Sequence, residues 1–173
     1  MTDGAMRGIF PILLTPFDDD GRIDEDSLKS EVEFNLAAGV HGLGLALGSE
    51  FLKMTEEERQ HVTRLVVEQV RGRVPVVVNT GAQSNVVAAL YSKQAEELGA
   101  SAVMCMPPSM GVSGAEMRSY FRAISDAVRV PVWIQDTTYV TVPAEPPKTV
   151  IRCPACWTDS WTFSGFGALS ILA

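Results

Sequence analysis

The chain has 173 residues, 46% hydrophobic and 20% charged, which fits one globular domain of about 150 residues with a little left over and excludes disordered, collagen-like and disulfide-knotted classes. Its net charge of −7 opposes phosphate backbones, and its cations do not cluster on any stretch, so nucleic acid is not an expected partner. No run of eighteen apolar residues occurs, Met1-Thr2-Asp3-Gly4 lacks the cationic start of a secretory signal, and three cysteines suit free thiols, so a cytoplasmic protein with no membrane partner is expected.

Gly8 to Phe17 is an apolar run with too many prolines for a helix and the length of a buried strand, closed by the turn Asp18-Asp19-Asp20-Gly21. Asp24, Glu25 and Asp26 then suit the positive end of a helix dipole, Leu28, Val32 and Leu36 follow at helical spacing, and Gly39 stops the helix. The same strand-then-helix order repeats. Leu43 to Leu47 reads as a second strand; Thr55 and Glu58 form a capping box ahead of Val62, Val66 and Val70, with Gly72 at the end. Val74 to Val78 is the third strand, and its helix carries Val87, Tyr91, Ala95 and Leu98, ending at Gly99. Ala102 to Met106 is nearly all apolar, as a strand buried on both faces should be. Ser113 and Glu116 cap a fourth helix with Met117, Phe121, Ile124 and Val128 on its stripe, and a fifth strand spans Val130 to Ile134.

Five strands alternating with four helices imply parallel strands joined by right-handed crossovers, in either a (β/α)₈ barrel or an open doubly wound sheet. Both place reactive groups at the carboxyl ends of strands, which here means Thr15, Gly48 to Glu50, Asn79 to Gly81, Pro107 to Met110, and Gln135 to Thr138. Residues 1–142 carry this alternation and are expected to form one α/β domain. Residues 143–173 form an atypical tail with four prolines, two of the three tryptophans, two of the three cysteines and four charges, without helical stripe or strand alternation. Such a switch in composition is what a change of reading frame near residue 142 would produce, and the genomic sequence read in all three frames checks it.

Several short patterns carry little chemistry. Asp18-Asp19-Asp20-Gly21 fails as a calcium loop because Pro16 takes a ligand position, and Gly42-Leu43-Gly44 lacks the third glycine of a dinucleotide fingerprint. No phosphate loop is present. Cys153-Pro154-Ala155-Cys156 has the spacing of a zinc knuckle or a redox pair, but Cys105, His41 and His61 do not complete four ligands; no metal is expected, and the two histidines read as ordinary loop and helix-surface residues. Gly48-Ser49-Glu50 stands out. It reads either as an anion seat, with a glycine admitting ligand to the backbone and Ser49 adding a hydroxyl, or as a strand-to-helix connection that needs small residues.

Taken in order, Thr15-Pro16-Phe17, the turn ending at Asp24, Gly39-Val40-His41-Gly42, Gly48-Ser49-Glu50, Leu98-Gly99-Ala100, Met106-Pro107-Pro108 and Val130-Pro131 resemble the N-terminal part of the dihydrodipicolinate synthase and N-acetylneuraminate lyase family, from about Met6 to about Asp136. The resemblance implies an α/β fold, an incomplete (β/α)₈ TIM barrel, and class I aldolase chemistry on pyruvate or a related 2-oxo acid, without a cofactor. A lysine there forms a Schiff base and a tyrosine shuttles the proton. The loop after the second strand binds the substrate carboxylate, a role that falls on Gly48, Ser49 and Glu50 in a version one residue shorter.

The departures are specific. The family tyrosine falls on Gln135, whose amide has no proton to shuttle near neutral pH, and Asp136 follows where asparagine is usual. A second tyrosine falls on Ser109 or Met110, and an arginine that binds a second carboxylate falls near Val140. The Schiff-base lysine belongs one βα unit further on; Lys148 is too early, and Trp161 to Gly165 offers none. A barrel of this kind takes about 250 residues. The expectation is therefore a truncated carbon–carbon or carbon–oxygen lyase, inactive as this chain, with two open sheet edges and a tendency to form homo-oligomers or aggregate. The competing expectation is a non-catalytic module that binds a small carboxylate or recruits a partner half-barrel.

Overall fold

The computed structural model describes residues 6–46, 49–108 and 113–135, together with the backbone of 149–152. Four parallel strands, β1 (Leu43–Leu45), β2 (Val76–Asn79), β3 (Ala102–Cys105) and β4 (Val132–Gln135), lie side by side in chain order, alternating with helices. The helices are α1 (Glu25–Ala37), α2 (Glu56–Val70), α3 (Asn85–Glu97) and α4 (Gly114–Ala127). This is a partial (β/α) barrel.

Local chemistry accounts for the helix starts. Asp24 caps α1 by accepting the Ser27 N–H at 3.1 Å, and reciprocal capping boxes open α2 at Thr55/Glu58 and α4 at Ser113/Glu116. Gly39, Gly72 and Gly99 follow helix ends with φ between +70° and +94°, a region only glycine enters cheaply. The expected stripe of α3 is displaced. Ala88, Ser92 and Ala95 are its buried line, with Val87, Tyr91 and Leu98 on its flanks, because small side chains let the helix approach the sheet.

The expected first strand differs more. Gly8 to Phe17 runs beside β1 as an extended segment, held by Ile9 O accepting from His41 N (3.0 Å), Pro11 O from Gly44 N (2.9 Å), and Gly44 O from Leu13 N (2.9 Å). It registers only isolated bridges, Ile12 with Gly44 and Phe17 with Ile23. Pro11 and Pro16 have no N–H to give, so the ladder cannot continue. Close approach of this segment also requires glycine opposite it: a Cβ on Gly44 would lie 2.6 Å from Ile12 Cδ1, and one on Gly42 would overlap the Phe10 ring.

Strand alternation divides the core in two. Facing the helices are Leu43, Leu45, Val76, Val78, Val103, Cys105, Val132 and Ile134. Facing inward are Ala46, Val77, Ala102, Met104 and Trp133, all at most 1% exposed, with Met6, Phe10 and Ile12 packed against them. Phe10 meets the Trp133 ring edge-on at 5.2 Å. The inner face is therefore covered by the N-terminal segment.

One of the two edges expected to be open is paired. Within the tail expected to hold no regular element, β5 (Thr149–Arg152) pairs antiparallel with β4, Trp133 opposite Ile151 and Gln135 opposite Thr149. A barrel strand in that place would run parallel. The rest of the tail, including Lys148 and the Cys153/Cys156 pair, lies outside the described residues, as do Leu47, Gly48 and 109–112.

Candidate functional site

The carboxyl ends of the parallel strands bring Thr15, Ala46, Ser49, Asn79 and Gln135 to one rim of the sheet. Ser49 opens a short 3₁₀ helix, Glu50–Lys53, and its hydroxyl is already engaged: it donates to Ala46 O at 3.0 Å and accepts the Phe51 N–H at 3.3 Å. A carboxylate needs donors, so the Ser49 proton would have to swing away from Ala46 to meet one. Glu50 turns back toward the preceding loop, where its Oε2 accepts the Thr15 N–H at 3.3 Å and ties two strand-end loops together. Gly48, the third residue expected in this seat, lies outside the described residues.

Gln135 ends β4 on the inner face, two residues beyond Trp133. Its Oε1 is buried without a hydrogen-bond partner among the described residues, and so are Trp133 Nε1 and Thr15 Oγ1. An amide and an indole N–H at the position and neighbourhood expected for a phenol leave one acceptor and one donor unmatched, but no group that exchanges a proton near neutral pH.

On the helix side of the same strand ends, a polar cluster escaped the sequence analysis. Thr80 Oγ1 lies 2.7 Å from Ser92 Oγ and 3.1 Å from Cys105 Sγ. Burial pushes the Cys105 thiol up to about 11, only partly countered by its hydrogen bonds to Thr80 and Ser92. That thiol is no nucleophile at neutral pH. Tyr120 Oη donates to Ala82 O at 2.9 Å and accepts the Ala82 N–H at 3.1 Å; burial, then the neighbouring Cys105, pushes its phenol well above the ordinary value. Neither group offers acid–base chemistry near neutral pH.

Arg59 on α2 is the other residue missed. Its guanidinium carbon sits 4.9 Å from the centroid of Phe51 and 4.8 Å from that of Tyr91, and Nη2 donates to Asn79 O at 2.8 Å. Beside Glu56, Glu57 and Glu58 in the sequence it reads as a solvated charge; only the fold brings the two rings together. The histidines sit as expected, His41 on its loop accepting the Ile9 N–H at 3.2 Å, His61 on α2 at 2.9 Å from Glu25 Oε1. Among the described residues no group of three or more His, Cys, Asp or Glu side chains is placed to hold a metal ion, and no helix is long and apolar enough to cross a membrane.

The model of the Dihydrodipicolinate synthetase family matches residues 5–156. The chain belongs to that family. Among curated relatives it is 43% identical over 135 residues to the L-2-keto-3-deoxyarabonate dehydratase of Azospirillum brasilense, covering 75% of this chain and 44% of that protein. It is 37% identical over 136 residues to the 4-hydroxy-tetrahydrodipicolinate synthase of Phenylobacterium zucineum, covering 78% and 46%. Among solved structures it superposes on YagE, a prophage protein of E. coli K12 from the dihydrodipicolinic acid synthase family crystallised with pyruvate, with a TM-score of 0.74 at 32% identity over 78% of this chain and 46% of that one. The dihydrodipicolinate synthase DapA-2 of Bacillus anthracis gives 0.70 at 30% identity, covering 73% and 44%. The chain thus spans about half the length of the curated relatives it matches.

Proposed function

We propose that these residues are the N-terminal half of a lyase of the Dihydrodipicolinate synthetase family, built to seat the carboxylate of a 2-oxo acid such as pyruvate, and that alone they hold the acid without converting it. The observation that carries this reading is that, among the described residues, no lysine stands at the strand-end rim. The inward positions of the parallel strands are Gly44, Ala46, Val77, Asn79, Ala102, Met104, Trp133 and Gln135. Lys29 sits on α1 and pairs with Glu25 at 3.3 Å, whereas Lys53 and Lys93 are exposed on the 3₁₀ helix and on α3. Among the described residues no amine is placed at the rim to form the Schiff base that turns a ketone into an electron sink, and Gln135 offers no phenol to relay the proton.

The relatives support the substrate class. One dehydrates a 2-keto-3-deoxy acid by name, others are synthases, and YagE was solved with pyruvate bound. What remains here for such an acid is the Ser49 loop, through its hydroxyl and the backbone of Gly48 and Ser49, with Glu50 holding that loop to Thr15. The test is to incubate the protein with pyruvate and borohydride and weigh it. The expected mass is that of the unmodified chain; a stable adduct on any lysine overturns the reading. Titration with pyruvate while following the Ser49 amide by NMR tests the seat separately, and a saturable shift is expected.

A further inference from the structure

We propose that Arg59 is a positioning residue for the carboxylate loop, clamping the turn that carries Ser49 onto the end of β2. The inference rests on the reading of that loop as the carboxylate seat, and it names the residue that sets its geometry.

A guanidinium on an outer helix gains nothing by leaving water unless its new surroundings replace the lost hydration. Here two ring faces and one carbonyl do so: Phe51 at 4.9 Å, Tyr91 at 4.8 Å, and Asn79 O at 2.8 Å from Nη2. Among the described residues no carboxylate lies within ion-pair distance of it, and Glu56 acts on it only through longer-range attraction. Burial lowers its proton affinity, in keeping with a cation partly withdrawn from solvent.

Each partner of the clamp leads to a strand end. Phe51, 1% exposed, gives its backbone N–H to Ser49 Oγ at 3.3 Å, and Ser49 Oγ donates to Ala46 O at 3.0 Å. A shift of the Phe51 ring therefore moves the donor that orients the Ser49 hydroxyl. On the other side Asn79, whose carbonyl the guanidinium holds, folds its own Oδ1 onto the Gly81 N–H at 3.1 Å and shapes the loop after β2. Tyr91 brings in α3 as the outer jaw. A planar, stacked cation does this; the compact ammonium of lysine has the charge without the plane.

The experiment compares the parent chain with Arg59→Met, Arg59→Lys and Tyr91→Leu by amide hydrogen exchange and pyruvate titration. In Arg59→Met the Phe51 amide should exchange at least about tenfold faster while Val66, on the buried face of the same helix, stays within about twofold of the parent. Half-saturation of the Ser49 shift should then need roughly tenfold more pyruvate, with Arg59→Lys in between. Unchanged exchange at Phe51, or a rise shared equally by Val66, overturns the proposal, since the second would mark Arg59 as a general stabiliser. If the parent's Ser49 amide ignores pyruvate, the carboxylate reading fails, and the exchange comparison still decides the clamp. If Arg59→Met does not fold, Tyr91→Leu, which removes one jaw and keeps the charge, gives the same comparison.

Discussion

Cys105 is fully buried on β3, and its thiol is raised from 9.0 to about 11 chiefly by loss of solvent. A raised value means that the folded state holds the proton more tightly than the unfolded one. The resulting stability is complete below pH 9 and is lost as pH climbs from about 9 to about 11, on the order of 3 kcal/mol in all. Urea unfolding of the parent and Cys105→Ala across that window should show a decline in the parent that the variant lacks; parallel slopes would contradict the assignment. At pH 7.5 the same burial should leave the Cys105 peptide unmodified by iodoacetamide until the protein is unfolded, read by peptide mapping. The apolar run around this cysteine made its burial legible in the sequence. Its partners were not legible: Thr80 and Ser92 lie 25 and 13 positions upstream, and Arg59 meets rings 8 and 32 positions away. Spacing rules see neighbours along one element, whereas these contacts are made between elements.

Helices were legible wherever a cap or a period marked them. The Thr55/Glu58 and Ser113/Glu116 boxes form as read, and Thr55→Ala should cost about 1 kcal/mol in a urea melt, because it frees the Glu58 N–H and removes the reciprocal contact. The α3 stripe was misplaced because hydrophobicity favours Val87 and Tyr91, while proximity to the sheet favours Ala88 and Ser92; Val86 and Leu90 stay in solvent at 73% and 50% exposure. Gly8 to Phe17 follows the same logic. Its apolar content says strand, and its prolines limit the ladder to single bridges, so side-chain cover adds to the three backbone hydrogen bonds that hold it beside β1. Phe10 over Gly42 is the decisive contact. Gly42→Ala should therefore destabilise the fold by about 1–3 kcal/mol through overpacking, and Phe10→Leu in the same chain should recover part of that loss. Strictly additive losses in the double-mutant cycle would mean that the ring and the glycine do not share the strain.

At the scale of the molecule, a partial (β/α) barrel has two problems, an inner face without opposing strands and unpaired edges. The resemblance made the partial barrel legible in the sequence; the strand that lies against β4 could not be read from residues that break every period. The structure meets the first problem with Met6, Phe10 and Ile12 over Trp133 and its neighbours, and the second by laying β5 against β4 in the reverse direction. An antiparallel strand satisfies the free N–H and C=O groups of β4 but occupies the line along which a parallel strand would extend the barrel. The seal is then a backbone matter, and proline, which cannot donate, should break it whatever its side chain touches. Of two consecutive residues in β5, one presents its N–H to β4, so Val150→Pro and Ile151→Pro together cover both registers. At least one of them should raise amide exchange at Trp133 through Gln135 and sediment as larger species than the parent at equal concentration, because the bared edge of β4 then pairs with another copy. If both variants keep parental exchange along β4 and the parental sedimentation profile, β5 does not seal this edge, and something other than strand pairing protects the half-barrel.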